Sequence, residues 1–270
     1  MKHFLFSLLV FCPIIASAQP RVFAHRLGGR QESDENTLSA LLSASSQGMT
    51  GFETDIRMTK DGVLVVNHDA DFVRTCTTSG VIEQMTLDEV RRVRTKQGNA
   101  IMTLDELLDA LQTIKVTYLE IEMKVTDTLA YPTERLQTYC DLLYRTVTAR
   151  TWPTTTICFA SFDFRSLRYM QQRYPEVLLA AITPKPVSEE TINIALALGV
   201  KKLNATMDGS SRASIALAHA KGLQVTVWPG SKPEDSVLGY WLGADALCSD
   251  CPLAAKQYMA EHLSWVPFVF

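Results

Sequence analysis

The sequence predicts a single (β/α)8 barrel. Three observations carry that expectation. Short β-rich runs alternate with longer helical patterns from residue 21 to the C-terminus. The principal strands number about eight, as such a barrel requires. The first strand is not followed by the Gly-rich loop that an open nucleotide-binding sheet would carry. With 270 residues, 47% of them hydrophobic, the chain can bury one large core.

The first 18 residues are set apart. Lys2 and His3 precede an apolar run over 4–15, broken only by Ser7 and Pro13, and Ala16-Ser17-Ala18 follows. That is the pattern of a cleaved secretory leader, and the run is shorter than the ~20 residues a membrane-spanning helix needs. The expected mature chain is therefore residues 19–270, one domain, periplasmic or secreted, with no stable membrane anchor.

The barrel elements follow in order. Residues 21–25 read as a strand, and 35–46 as a helix with Leu38, Leu41 and Leu42 on one face. Residues 51–56 form the second strand, Asp61-Gly62 marks a turn, and 63–67 return as a short extra β segment over the barrel mouth. Thr103 and Glu106 are spaced as a capping box. Strands are then expected at 116–124, 154–162, 177–182, 201–205, 224–228 and 244–248. The helices between and after them are expected at 134–147, 164–173, 188–198, 212–221, 233–242 and 252–262.

The net charge of −3 gives no broad basic surface, so nucleic acid is not an expected partner. Once Cys12 leaves with the leader, Cys76, Cys140, Cys158, Cys248 and Cys251 remain. Five is odd, so at least one stays a thiol in a monomer. Whether Cys248 and Cys251 pair is left open by their spacing, and no zinc-ligand pattern is present.

Chemistry concentrates on two strands. Glu53 and Asp55 alternate along Gly51-Phe52-Glu53-Thr54-Asp55-Ile56, so both project from one face. Glu120, Glu122 and Lys124 repeat the device. Carboxylates crowded on an inward face repel one another unless a cation compensates, and an all-oxygen set suits Ca2+ or Mg2+. His25 and His68 end extended segments and are followed by Arg26 and Asp69. A phosphodiester needs its charge offset, a nucleophile deprotonated and a leaving alkoxide protonated. Cations beside two imidazoles could supply all three. A serine hydrolase would need a Gly-x-Ser-x-Gly elbow, which is lacking. A glycosidase would leave His25, His68 and Arg26 without a role.

These residues resemble the glycerophosphodiester phosphodiesterase family. Its His-Arg-Gly and Pro-Glu-Asn-Thr segments correspond to His25-Arg26-Leu27-Gly28 and Asp34-Glu35-Asn36-Thr37. Its Glu-x-Asp, Thr-x-Asp-Gly and His-Asp segments correspond to Glu53, Asp55, Thr59, Asp61-Gly62 and His68-Asp69. Its Glu-x-Lys strand corresponds to Glu122 and Lys124. Ser161-Phe162-Asp163, Trp228 and Ser249-Asp250-Cys251-Pro252 are weaker echoes. The resemblance implies a (β/α)8 barrel that hydrolyses glycerophosphodiesters to an alcohol and glycerol 3-phosphate. It implies one divalent ion, Ca2+ or Mg2+, on Glu53, Asp55 and Glu122, and acid–base work by His25 and His68. Phosphate or substrate contacts fall to Arg26, Lys124 and Trp228. A substrate hydroxyl or a water attacks phosphorus in that family.

Three positions depart from the pattern. Leu27 replaces glycine, Asp34 replaces proline, and Pro229-Gly230 stand where the family continues Thr-Val-Asn after the tryptophan. The rival readings are a sphingomyelinase D-like phospholipase acting on lipid headgroups, and a barrel that binds phosphodiesters without turning them over.

Overall fold

The computed structural model describes residues 19–270; the expected leader, residues 1–18, lies outside the described residues. Eight parallel strands close into a barrel: β1 (Arg21–Ala24), β2 (Gly51–Met58), β4 (Tyr118–Met123), β5 (Thr156–Ser161), β6 (Leu178–Pro186), β7 (Lys202–Thr206), β8 (Gln224–Gly230) and β9 (Ala246–Ser249). Pairing of Ala24 with Phe52 closes the ring. β3 (Leu64–Val66) lies antiparallel to the last residues of β2, the extra segment expected at the mouth.

Strand alternation separates two cores. Phe52, Ile56, Leu119, Ile121, Leu203 and Val225 face outward into the large layer shared with the helices. Phe23, Tyr118, Cys158, Ala160, Ala180 and Cys248 face inward and fill the barrel. The helices are α1 (Leu38–Ser46), α2 (Leu87–Val90), α3 (Leu104–Leu111), α4 (Thr133–Thr148), α5 (Phe164–Arg173), α6 (Glu189–Leu198), α7 (Arg212–Ala220), α8 (Asp235–Leu242) and α9 (Pro252–His262). Thr103 and Glu106 form the expected capping box at α3. Between β3 and α3 the chain builds a small insert around Phe72, Ile82 and Val90, which has its own apolar cluster.

Several boundaries differ from expectation, and two differences bear on the site. Strand β1 ends at Ala24, and His25 opens a 3-10 turn in which Arg26 and Leu27 have φ of 53° and 71°. Helix α1 starts at Leu38 instead of residue 35, because Asn36 turns to a φ of 58° and Thr37 caps the helix. Periodicity carried the helix backward into a loop whose polar side chains serve the barrel mouth. All five cysteines among the described residues are unpaired thiols, so Cys248 and Cys251 form no disulfide. Among the described residues no helix is long and apolar enough to cross a membrane.

Candidate active site

The C-terminal ends of the strands bring the expected residues to one cavity. Parallel register sets Glu53 beside Glu120 and Asp55 beside Glu122. Glu53, Asp55 and Glu122 are 3%, 0% and 8% exposed, so all three carboxylates are turned away from solvent. Each offers an oxygen within 4.8 Å of the others. His25, Arg26, Glu53, His68, Glu122 and Trp228 all line a cavity of about 230 Å³.

Like charges this close cannot all ionise freely. Burial, then Asp55 and Glu122, push the Glu53 carboxyl well above its usual range. Burial and Asp55 also leave Glu122 raised, although Lys124 opposes them. Burial would raise Asp55 too, but Lys124, His68 and Arg26 outweigh it and hold that carboxyl below the ordinary range. Glu53 Oε1 and Asp55 Oδ1 are buried without a hydrogen-bond partner. Two such acceptors, aimed together in an acidic cluster, fit a hard divalent cation. His25, Glu53 and Cys248 also converge within 4.8 Å. Burial, then Glu53, keep the Cys248 thiol protonated, which disfavours it as a ligand.

The two imidazoles are held alike. His25 Nδ1 lies 2.5 Å from Asp250 Oδ1, and His25 Nε2 lies 3.8 Å from Glu53 Oε2. Burial opposes ionisation of Asp250, but the hydrogen bond and charge of His25, then Arg30, hold its carboxyl low. His68 Nδ1 lies 2.6 Å from Asp69 Oδ1, and Arg57 donates to the His68 carbonyl at 3.0 Å. Burial pulls the His68 imidazole below its usual value; Asp55 opposes this, while Lys124 and Arg26 add to it. In both cases a carboxylate takes Nδ1 and leaves Nε2 for chemistry.

The cations are less free than their sequence positions suggest. Arg26 donates through its backbone N–H to Glu53 at 2.8 Å and through Nη1 to Glu35 at 2.7 Å; its Nε is buried and unpartnered. Lys124 Nζ lies 2.7 Å from Glu122 and 3.6 Å from Asp55, so it stands as counter-charge to the acidic cluster. Arg74 joins the first βα loop to the insert by bonding both Glu35 and Asp69.

Sequence reasoning passed over two supporting groups. Asp250 had been only part of a weak echo; its signal was an acid directly after an apolar strand. Asn36 donates to Asp55 at 2.9 Å and accepts from Thr54 at 3.0 Å. The three departures also find reasons. Leu27 is fully buried. Asp34 accepts from Thr95 at 2.5 Å and Asn99 at 2.7 Å, tying the loop to the insert. A Cβ on Gly230 would stand 2.9 Å from Leu247, and the Gly230 carbonyl accepts from the Asp250 N–H at 2.8 Å, so this close approach backs Asp250.

A buried carboxylate cluster and two imidazoles, each held at Nδ1 by a carboxylate, thus meet in one barrel mouth, an arrangement that suits a class: a barrel hydrolase for a charged ester. Comparison with known proteins narrows the class. The model of the glycerophosphoryl diester phosphodiesterase family matches residues 25–254, from the first imidazole into α9. The chain belongs to that family, and is a phosphodiesterase. A Mycobacterium tuberculosis relative is 26% identical over 213 residues, 74% of this chain and 75% of its own. Glycerophosphodiester phosphodiesterase 1 of Homo sapiens is 34% identical over 97 residues, 34% of this chain but only 29% of that one. Among solved structures, an Oleispira antarctica phosphodiesterase in complex with the product sn-glycerol-3-phosphate superposes with a TM-score of 0.81. It is 22% identical and covers 90% of this chain and 98% of its own.

Proposed function

We propose that this protein hydrolyses glycerophosphodiesters to an alcohol and sn-glycerol 3-phosphate, using one divalent cation on Glu53, Asp55 and Glu122. The observation that carries the reading is the buried carboxylate triad with two unpartnered oxygens beside two imidazoles. The name and product of the Oleispira relative support the choice of substrate. Ca2+ and Mg2+ both suit the oxygen donors. A cation held there would offset the charge of the phosphodiester and of its transition state.

The chain's own residues do the rest. Arg26 Nε and the Lys124 ammonium contact phosphate oxygens and keep the diester in the mouth. His68, whose lowered affinity for protons keeps Nε2 free near neutral pH, takes the proton of the attacking water, whose oxygen forms the new bond to phosphorus as the bond to the departing alcohol breaks. His25 gives the proton from Nε2 to the leaving alkoxide, and Asp250 stabilises the ring while it carries that proton. Trp228 packs against the substrate. On the leader pattern of residues 1–18, the enzyme works in the periplasm or outside the cell.

The test compares two substrates. With Mg2+ or Ca2+, the protein is expected to release choline and glycerol 3-phosphate from glycerophosphocholine. Turnover of lysophosphatidylcholine with none of glycerophosphocholine would overturn this assignment in favour of a lipid-headgroup phospholipase.

A further inference from the structure

His68 stands on a loop just beyond β3, so the reach of its ring depends on what holds that loop to the barrel. The ring is held by Asp69, the next residue on the same loop. Two hydrogen bonds tie the loop to β2. The Asn67 N–H donates to the Asp55 carbonyl at 3.0 Å, which continues the pairing of β3 with β2. Arg57 Nε donates to the His68 carbonyl at 3.0 Å. This second bond comes from a side chain, so it is only as fixed as the guanidinium.

Glu83 fixes the guanidinium. Arg57 Nη1 donates to Glu83 Oε1 at 2.8 Å, and the two side chains are 11% and 5% exposed. Glu83 belongs to the insert, on a 3-10 turn over Ile82–Gln84 whose Ile82 is fully buried in the insert's apolar cluster. The Ile82 N–H donates to the Ala70 carbonyl at 2.9 Å, so the same turn also holds the chain just past His68. Glu83 Oε1 accepts a second bond from the Tyr131 hydroxyl at 3.0 Å, and that hydroxyl accepts from the Met58 N–H at 3.0 Å. Glu83 is thus braced against β2 by two routes. Its Oε2 is buried without a partner. Desolvation of two buried charges offsets most of their attraction, so such a pair adds little net stability. What it supplies is geometry, because a planar fork held at one prong fixes the direction of the other.

We propose that Glu83 is a positioning residue for His68: through Arg57 it sets the His68 backbone, and with it the reach of Nε2 to the attacking water. The proposal rests on the assignment of His68 as base in the reaction above. It gives the insert a part in that reaction, although Glu83 does not line the cavity. A base displaced by a fraction of an ångström loses rate without losing substrate, which separates this role from a contact with the diester.

Glycerophosphocholine turnover with Mg2+ present tests it, in the wild type, Glu83→Ala, His68→Ala and the double variant, beside NMR of the histidine rings. Glu83→Ala is expected to lower kcat by about tenfold to a hundredfold and to leave KM within about twofold. Added to His68→Ala, it should cause no further loss, because the ring it positions is gone. Glu83→Gln keeps an acceptor for Arg57 and Tyr131 and should recover most of the rate. The His68 ring resonance, identified by its absence from His68→Ala, should shift in Glu83→Ala while that of His25 stays in place. Arg57→Lys keeps the charge opposite Glu83 but not the fork to the His68 carbonyl. It should behave as Glu83→Ala does, and provides the reading if Glu83→Ala does not fold. An unmoved His68 resonance would overturn the proposal, as would equal losses of kcat in the two backgrounds. A shifted resonance in Glu83→Ala beside wild-type turnover in His68→Ala would sink the assignment of His68 as base and keep the strut.

Discussion

At the scale of single residues, the site is held by side chains whose backbone or charge is under constraint. Leu27 adopts a φ of 71°, where a non-glycine residue costs about 1–2 kcal/mol, yet its side chain is fully buried. Removing a buried leucine side chain costs about 2–5 kcal/mol, so burial outweighs the backbone strain. Leu27→Gly is therefore expected to lower stability in urea unfolding by about 1–3 kcal/mol, although it restores the family's usual residue; a rise in stability would show that strain dominates. His25→Ala and His68→Ala should each reduce kcat by about 10²–10⁴-fold with the fold intact by circular dichroism. Because burial lowers the proton affinity of His68, its neutral, base-competent form persists to lower pH. The acidic limb of kcat/KM should consequently fall below the ~6.5 of an ordinary imidazole. A limb above that value, absent from His68→Ala, would contradict the assignment of His68 as base.

The elements of the barrel were legible in the sequence where one periodicity ruled. Strands β2 and β4 alternate charged and apolar residues, and the structure buries both faces, with the acids turned inward. Glu53, Asp55, Glu122, His25, Arg26, His68 and Trp228 were therefore found from spacing and motif, and all line the cavity or its acidic cluster. What stayed illegible depends on long-range partners. Asp250 is 225 residues from the histidine it orients. The left-handed turn at Asn36 is specified by Asp55 and Thr54, not by its neighbours. The insert between β3 and α3 was hidden for the same reason, since its apolar cluster comes from short, non-periodic pieces. Asp34→Ala removes the acceptor for Thr95 and Asn99. It should speed hydrogen exchange across residues 68–103 while the barrel strands keep their protection. Unchanged exchange in the insert would show that Asp34 does not anchor it.

For the whole molecule, the acidic cluster makes stability depend on cation and pH together. The Glu53 carboxyl is raised in the fold, so the metal-free native state binds this proton more tightly than the unfolded chain. Its contribution to stability is lost as pH rises from the ordinary carboxyl value of about 4.3 through the raised one. A cation bound only by the native state reverses that loss. Mg2+ or Ca2+ should raise Tm, and by more at pH 8 than at pH 6. Glu53→Gln should match or exceed the wild-type Tm without metal, because a repulsion is gone, and should lose most of the metal response. A full response in Glu53→Gln would remove that residue from the cation site.

The most direct measurement is release of sn-glycerol 3-phosphate from glycerophosphocholine by metal-stripped protein, with chelator and then with Mg2+ or Ca2+ restored, for the wild type and Asp55→Asn. The account predicts no release in chelator, recovery with at least one of the two cations, and a loss of at least about tenfold in Asp55→Asn at limiting metal. Undiminished release in chelator, with Asp55→Asn as active as the wild type, would contradict it.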